Sequence, residues 1–273
     1  MVNISHEPEA HSGRTRVIVD FFICGVQKGG TTALDSFLRR HPDIEMAKIK
    51  ETHFFDDESV DWTHPDYDKL HAWFDADRSR RLRGEATPIY SYWPNAMERL
   101  RAYNPSAKLI VALRHPVLRA LSHWRMETAR GAETLSFAEA IRPPARARVR
   151  AAANGAHRVF SYVERGFYAP QVERLLDLFP DGQVLFLRTD AMWRDLPATL
   201  NAIHAFLGLD AGPAVERRRV VAIETDKSAP LASADAERLC ELYAQDIERT
   251  QARTGLDLSD WLDPKSAYHE PME

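Results

Sequence analysis

The chain has 273 residues, of which 44% are hydrophobic and 28% charged, with a formal net charge of −4. These values are typical of an ordinary folded protein and exclude collagen-like, low-complexity and mostly disordered chains. The 36 basic residues nearly balance the 40 acidic ones, which argues against a dedicated nucleic-acid-binding protein.

Only two cysteines are present, Cys24 and Cys240. They are too few and too far apart for a C-x-x-C metal or redox site, and they indicate a reducing compartment. No run of about 18 apolar residues exists, and residues 1–15 lack the apolar segment of a signal peptide. We therefore expect a cytoplasmic protein without a stable membrane anchor, with a loose polar arm at 1–15 and a single domain at 16–273.

The first predicted strand is the nearly continuous apolar run 17–24, as expected for a strand buried on both faces. A glycine-rich turn over 25–32 follows at once, and then an amphipathic helix that stops near His41. The same alternation continues along the chain. Further strands are predicted at 108–113 and 184–187, and a last long helix at 234–250. The alternation predicts an α/β fold, with a mainly parallel sheet flanked by helices on both faces.

Two segments fit the predicted sheet less well. Residues 41–95 hold many acids, histidines and aromatics with little periodicity, and long irregular segments in a compact domain are often functional. Residues 142–158 contain five arginines and no acid, and we expect a helical or loop element beside the sheet.

The turn 25–32 is an anion site by its position, because it leaves a buried strand and opens a helix. Backbone N–H groups at a helix start have no intrahelical acceptor, and the helix dipole adds positive potential there. Lys28 adds a charge and Gly29 and Gly30 allow close approach of the backbone. The alternative is a simple glycine turn with a solvated lysine.

The order of residues in this turn differs from two well-known nucleotide loops. A Walker A loop, G-x-x-x-x-G-K-[ST], has its lysine after the last glycine, whereas Lys28 precedes the glycine pair. The G-x-G-x-x-G pattern of NAD and FAD sites is also missing. We find no apolar strand that ends in an aspartate suited to magnesium. The sequence thus predicts a phosphate site without a metal.

A second anion site is predicted at Arg114, which follows the strand at 108–113, where ligands bind in open α/β sheets. Ser122 lies about two turns into the next helix. An arginine fork with a hydroxyl suits a dianionic phosphate. The alternative is that Arg114 pairs with a surface carboxylate and that Ser122 binds nothing.

Four segments in this order resemble motifs of the sulfotransferases that use 3′-phosphoadenosine 5′-phosphosulfate (PAPS), especially the heparan-sulfate branch and its bacterial relatives. They are Gly25–Thr32, similar to the 5′-phosphosulfate loop; Lys50–Asp56, similar to K-E-x-H-F-F-D; Gly84–Tyr90, similar to G-E-K-T-P-x-Y; and Arg114–Ser122, similar to R-x-P-x-x-R-x-x-S. The resemblance covers about residues 18–262. It implies a P-loop-like three-layer α/β domain, PAPS as sulfuryl donor, adenosine 3′,5′-bisphosphate (PAP) as product, and no metal.

The resemblance also implies roles for individual residues. Those expected to bind the donor are Gln27, Lys28, Gly29, Gly30, Thr31, Thr32, Arg114, Ser122, Tyr168 and Lys227. Lys28 would stabilise the leaving phosphate. Glu51 would take the proton of an acceptor hydroxyl, and His53 and Asp56 would orient the Glu51 carboxylate. The alternative is that His53 itself is the base.

On the acceptor side, Lys50 would help to hold the sulfate, and Glu85 would contact the acceptor or support Glu51. Trp93 would stack on a ring or sugar, or else belong to the core. Tyr168 leaves the same choice between the adenosine pocket and the core. The chain departs from the family at Ala86, where a lysine is expected, and this puts a heparan-like acceptor in doubt.

The sequence therefore predicts sulfuryl transfer to a hydroxyl of a glycan, lipid or secondary metabolite, and less readily to an amine. The alternatives are an ATP-dependent small-molecule kinase and a non-catalytic nucleotide-binding protein. Two interpretations of segment 142–158 also stay open: a solvated helix face, or a basic rim that attracts an anionic acceptor. Neither the acceptor nor the oligomeric state follows from the sequence.

Overall fold

The computed structural model describes residues 18–75, 82–215 and 230–268, so the arm predicted at 1–15 lies outside the described residues. The strands of the described residues form one sheet in the order β2-β3-β1-β4-β5, and every pairing in it is parallel. They are β1 Phe21–Gly25, β2 Ile44–Met46, β3 Leu82–Ala86, β4 Lys108–Leu113 and β5 Val184–Arg188. This sheet confirms the predicted α/β class.

Helices cover both faces of the sheet. Within the described ranges the α-helices are α1 Thr31–Leu38, α2 Asp68–His71, α3 Ala96–Tyr103, α4 Pro116–Ala129, α5 Phe137–Ala140, α6 Pro143–Arg150, α7 Ala169–Leu178, α8 Thr189–Arg194, α9 Leu196–Leu207 and α10 Ser233–Thr254. Short 3-10 turns lie at Ala153–Gly155, Glu164–Gly166, Asp181–Gln183, Ser259–Leu262 and Pro264–Tyr268. None of the helices described is both long and apolar enough to cross a bilayer.

Strand β1 is fully buried on both faces, as its apolar sequence predicts. Alternate side chains of a strand point to opposite faces of the sheet. Phe22 therefore belongs to a core that includes Leu121 of α4 and Leu239 of α10. Phe21 belongs to a second core that includes Leu34 of α1. The glycine-rich turn that follows β1 is thus held from both sides of the sheet.

The irregular segment 41–95 contains two strands, of which the sequence indicates only the end of the second, near Glu85. β2 has only three residues, and β3 carries charged residues inside the sheet. Arg83 is buried there because its Nε donates to Glu45 of β2 at 2.9 Å, which compensates the charge. The segment 142–158 forms α6 and a 3-10 turn, in agreement with the predicted helical element.

Gly84 of β3 occupies a position too narrow for any side chain. A β-carbon there would lie 2.2 Å from Cζ of Phe21 and 2.6 Å from Sδ of Met46. We expect Gly84→Ala to lower the free energy of unfolding by about 1–3 kcal/mol, since overpacking forces neighbours apart. Urea denaturation measures this loss.

The matched control is Gly182→Ala, because nothing lies within 4 Å of a β-carbon at Gly182. Its free energy of unfolding should stay close to that of the wild type. Equal stability of the two variants would contradict the packing argument at Gly84.

Candidate active site

The loops that follow β1, β3 and β4 meet at one edge of the sheet, because parallel strands place their carboxyl ends together. The loop after β1 carries Lys28 and the loop after β4 carries Arg114. The backbone N–H of Glu51 donates to the carbonyl of Ala86 at the end of β3, at 2.9 Å. All four motif segments are thus brought to the same edge.

The loop between β1 and α1 is shaped by close backbone contact with β4. A β-carbon at Gly29 would lie 2.3 Å from the carbonyl oxygen of Ala112, so only glycine fits. Gly30 precedes α1 with a φ of 83°, which glycine adopts readily. The N–H groups of Thr31 and Thr32 lie at the start of α1, where no intrahelical acceptor exists. The loop therefore has the backbone geometry of an anion site.

Arg114 is tied to this loop. Its Nη1 donates to the carbonyl of Lys28 at 3.0 Å, and its own carbonyl accepts a hydrogen bond of 2.7 Å from the hydroxyl of Tyr168. Tyr168 is 1% exposed, so the geometry favours the core role over a place in the pocket wall. Ser122 is half-buried two turns into α4, and Leu118 lies on the same helix face.

Two buried arginines place positive charge behind the loop. Arg119 and Arg165 are 0% and 2% exposed, and Nη1 of Arg165 donates to Oε1 of Gln27. Burial and the nearby charges of Arg165, Arg119 and Lys28 hold the pKa of His123 well below its ordinary value. His123 is therefore neutral, and the arginines with Lys28 supply a fixed positive potential beside the loop.

The segment predicted to act on the acceptor forms a row of alternating charges. Nζ of Lys50 donates to Oε1 of Glu51, and Nε2 of His53 lies 3.6 Å from Oε2 of Glu51. Nδ1 of His53 lies 3.0 Å from the carboxylate of Asp56, which is fully buried. Glu51 and His53 remain 36% and 44% exposed, so both are open to a substrate.

These contacts shift the two titrating groups in opposite directions. Burial opposes the ionisation of Glu51, but hydrogen bonds from His53 and Lys50 outweigh it and lower its pKa to about 2. The hydrogen bond to Asp56, and then that to Glu51, raises the pKa of His53 to about 9. At neutral pH the pair is a carboxylate and an imidazolium.

Glu85 lies beneath this row. Its Oε1 accepts hydrogen bonds from Thr52, at 3.2 Å from the backbone N–H and 3.1 Å from the hydroxyl, and from the hydroxyl of Thr87. It is fully buried, and burial raises its pKa to about 7. Of the two roles predicted for Glu85, this geometry favours support of the Glu51 loop. The two threonine partners were not predicted, although both lie inside the motifs.

The backbone is strained where the predicted catalytic groups lie. Among the described residues, the non-glycine positions with positive φ are Lys28, Glu51 and His53, at 73°, 64° and 54°, and two asparagines. Asparagine tolerates this left-handed backbone conformation, whereas for most other residues with a side chain it is destabilising by about 1–2 kcal/mol each. Strain of this kind collects at functional sites, where the surrounding structure holds it in place.

Most of the arginines in segment 142–158 make structural contacts. Nε of Arg146 donates to Glu164 at 2.7 Å, and Nη2 of Arg148 donates to Glu133 at 2.6 Å. Arg158 instead reaches the site, and its guanidinium lies 4.3 Å from the ring centre of Trp93. No local pattern in the sequence predicts this contact.

A cavity of about 520 Å³ opens beyond the ends of β4 and β5. Its lining includes Leu118 of α4, Arg188 at the end of β5, and Arg194 of α8. The cavity is on the opposite side of the donor loop from Glu51, because β4 and β5 lie on one side of β1 and β3 lies on the other. Lys227, predicted to cover a nucleotide here, lies outside the described residues.

Comparison with known proteins identifies the family that shares this arrangement. The sulfotransferase domain family matches residues 19–247. A sulfotransferase from Alicyclobacillus acidocaldarius has a similar structure, with a TM-score of 0.77 and 31% identity, and the match covers 91% of this chain and 100% of that one.

Two mouse proteins are also similar in sequence. Heparan sulfate glucosamine 3-O-sulfotransferase 6 is 34% identical over 207 residues, which are 74% of this chain and 56% of that protein. Heparan sulfate glucosamine 3-O-sulfotransferase 3B1 is 36% identical over 191 residues, which are 68% of this chain and 45% of that protein. The chain thus spans about half the length of these curated relatives.

The buried carboxyl of Glu85 should make stability depend on pH. Its pKa of about 7 in the folded protein exceeds its ordinary value of 4.5, so between these values the folded state holds a proton that the unfolded state has released. The contribution of Glu85 to stability is fully present below pH 4.5 and is lost as the pH rises to about 7. This loss is at most about 3–4 kcal/mol, at about 1.4 kcal/mol per pKa unit.

Glu85→Gln removes this titration. We expect the free energy of unfolding of this variant, measured in urea, to increase relative to that of the wild type as the pH rises from 4.5 to about 7. Other titrating groups affect both proteins alike. A difference that stays constant with pH would contradict the raised pKa of Glu85.

Proposed function

The chain belongs to the sulfotransferase family, and on that premise we propose that it transfers the sulfuryl group of PAPS to an acceptor hydroxyl, with Glu51 as general base. One observation carries the proposal: a phosphate loop with Lys28 and an ionised carboxylate at Glu51 meet at a single sheet edge. Sulfuryl transfer needs these two groups on opposite sides of the reacting sulfur.

The donor half of the site would extend from β1 towards β5. Lys28 and the N–H groups of Thr31 and Thr32 would hold the 5′-phosphate, and Arg114 with Ser122 would hold the 3′-phosphate. The cavity beyond β4 and β5 would take the adenosine, because it lies next to the α4 face that carries Ser122. The buried charges of Arg119 and Arg165 support the assignment, since they stabilise a doubly phosphorylated ligand.

The acceptor half would lie on the other side of the loop. Glu51 removes the hydroxyl proton as the acceptor oxygen bonds to sulfur. The bond from sulfur to the bridging oxygen breaks at the same time, and its electron pair leaves with the phosphate of PAP. Lys28 compensates the charge that develops on that oxygen.

His53 supports Glu51 in this scheme and is not itself the base. An imidazole with a pKa of about 9 is protonated at neutral pH and has no lone pair to accept a proton. The imidazolium instead donates towards Glu51 from one nitrogen and towards Asp56 from the other. Of the two roles predicted for His53, the proposal therefore keeps that of orienting the Glu51 carboxylate and drops that of the base.

We propose a glycan or small-molecule hydroxyl as the acceptor. The names of the two mouse relatives specify the 3-hydroxyl of a heparan sulfate glucosamine. Lys50 and the half-buried Trp93 flank the site and suit a polar sugar or ring. Ala86, where the family has lysine, removes one cation from this side, so we expect an acceptor with less negative charge than heparan sulfate.

The donor assignment predicts which nucleotide binds. PAP should stabilise the protein in a thermal-shift assay at concentrations where ATP with Mg²⁺ does not, because Arg114 and Ser122 suit a 3′-phosphate that ATP lacks. Lys28→Ala should weaken PAP binding at least tenfold in calorimetry, whereas Lys48→Ala, a change at a surface lysine paired with Asp75, should not. Preference for ATP with Mg²⁺ would overturn the assignment.

The base assignment predicts a separation of binding from turnover. Glu51→Gln should bind PAP as the wild type does and lower kcat by about 10²–10⁴-fold, the usual contribution of a general base. The assay follows PAP release from PAPS with a panel of acceptors: a heparan sulfate octasaccharide, glucosamine and a simple phenol.

Glu173→Gln is the matched control, since Glu173 lies on α7 and pairs with Arg249 of α10 at the surface. This variant should retain wild-type turnover. If Glu51→Gln also retained it, Glu51 would not be the base.

A further inference from the structure

The carboxylate of Asp56 is shared between two cations that come from distant parts of the chain. It is fully buried, and it accepts a hydrogen bond of 3.0 Å from Nδ1 of His53. Nη1 of Arg158 donates to Oδ2 of the same carboxylate, and Nη2 of Arg158 donates to the Asp56 carbonyl. The guanidinium fork therefore fixes both the side chain and the backbone of Asp56.

Arg158 is itself held from two sides. Its guanidinium packs over Trp93, whose Nε1 donates to Glu58 at 2.8 Å. The backbone carbonyl of Arg158 accepts a hydrogen bond of 2.8 Å from Nη2 of Arg165. Arg165 also bonds to Gln27, next to Lys28 in the donor loop. The side chain of Arg158 is 44% exposed, and these contacts hold it in one position.

We propose that Arg158 is a positioning residue for sulfuryl transfer, which holds the carboxylate of Asp56 in place and directed at Nδ1 of His53. With that nitrogen engaged, Nε2 of His53 faces Glu51. The inference rests on the proposed function, because it assigns a purpose to the orientation of Glu51. It also assigns Arg158, in segment 142–158, a role that differs from both interpretations of that segment, a solvated helix face and a basic rim that attracts an anionic acceptor.

The charge balance around His53 supports this assignment. The groups that face the imidazole are the carboxylates of Glu51 and Asp56, with Lys50 on the far side of Glu51 and the Glu85 carboxyl beneath the loop. Arg158 contacts the Asp56 carboxylate directly, and Arg99 lies near it, where it donates to the carbonyl of Phe55 at 2.9 Å. Without Arg158, Asp56 would keep only His53 as a direct cationic partner, and a buried carboxylate is destabilised when its counter-charge is incomplete.

Removal of the guanidinium should therefore raise the pKa of His53. The negative charge of Asp56 would then be compensated directly by the imidazolium alone, which stabilises the protonated form of His53. The repulsion between the imidazolium and the positive charge of Arg158 would also be lost. A unit charge about 6 Å away, in surroundings between protein and water, changes a pKa by about 0.5–2 units. Lysine would restore the charge but not the fork, so Arg158→Lys should recover the pKa and only part of the turnover.

The first experiment titrates His53 by NMR in full-length protein labelled with ¹⁵N-histidine, with assignment from a His53→Gln spectrum. Arg158→Gln should raise the pKa of His53 by at least about half a unit. It should lower the rate of PAP release from PAPS, with water as acceptor, about tenfold or more, and leave PAP affinity within about twofold.

Arg150→Gln is the control, because Arg150 is exposed in the same segment and donates to the carbonyl of Pro143. It should leave the pKa, the rate and the affinity unchanged. An unchanged His53 pKa in Arg158→Gln would overturn the inference. If the wild type neither bound PAP nor released it from PAPS, the proposed function would fail, while the titration would still decide whether Arg158 acts on His53.

The second experiment is a double-mutant cycle with Asp56→Asn. If Arg158 acts through Asp56, its replacement by glutamine should change the His53 pKa and the rate much less in the Asp56→Asn background than in the wild type. An undiminished effect in that background would show that Arg158 acts elsewhere, for example on the acceptor, and would reject the positioning role.

Discussion

Parallel pairing of β1 with both β3 and β4 is the constraint on which the candidate site depends. It places the ends of three strands side by side, so that loops from distant parts of the chain meet without a long connection. The spacing between β1 and β4 leaves no room for a side chain at Gly29, where the donor loop passes the carbonyl of Ala112. The same pairing places the Glu51 loop on the far side of β1. The order of the strands thus separates the Lys28 loop and Arg114 from the loop that carries Glu51.

The buried carboxyl groups at this edge are compensated. Asp56 has two cationic partners, and Glu85, which is fully buried, holds a proton up to near-neutral pH. Each arrangement avoids an ionised group without a counter-charge, which a protein interior tolerates poorly. What remains is a positive potential near Lys28 and a negative carboxylate at Glu51, the polarity that transfer between two oxygens requires.

The parts of this site that follow apolar strands could be predicted from the sequence. Lys28 and Arg114 each come after a run of buried residues, and such runs are local signals. Only the end of β3, near Glu85, is expected from the sequence, because Arg83 and Glu85 look like surface residues whose burial depends on partners elsewhere. The contact between Arg158 and Asp56 joins positions 102 residues apart, so no local pattern contains it. The placement of Lys227 over the nucleotide stays a prediction.

The left-handed backbone at Lys28, Glu51 and His53 has a consequence for engineering. Glycine adopts this conformation without strain, so its introduction at any of the three positions relaxes the backbone while deleting a side chain that the proposed mechanism needs. A selection for heat resistance alone would therefore favour proteins that keep their shape and lose their chemistry. Libraries built on this scaffold need a readout of turnover at every round, because robustness and catalysis oppose each other at the same three residues.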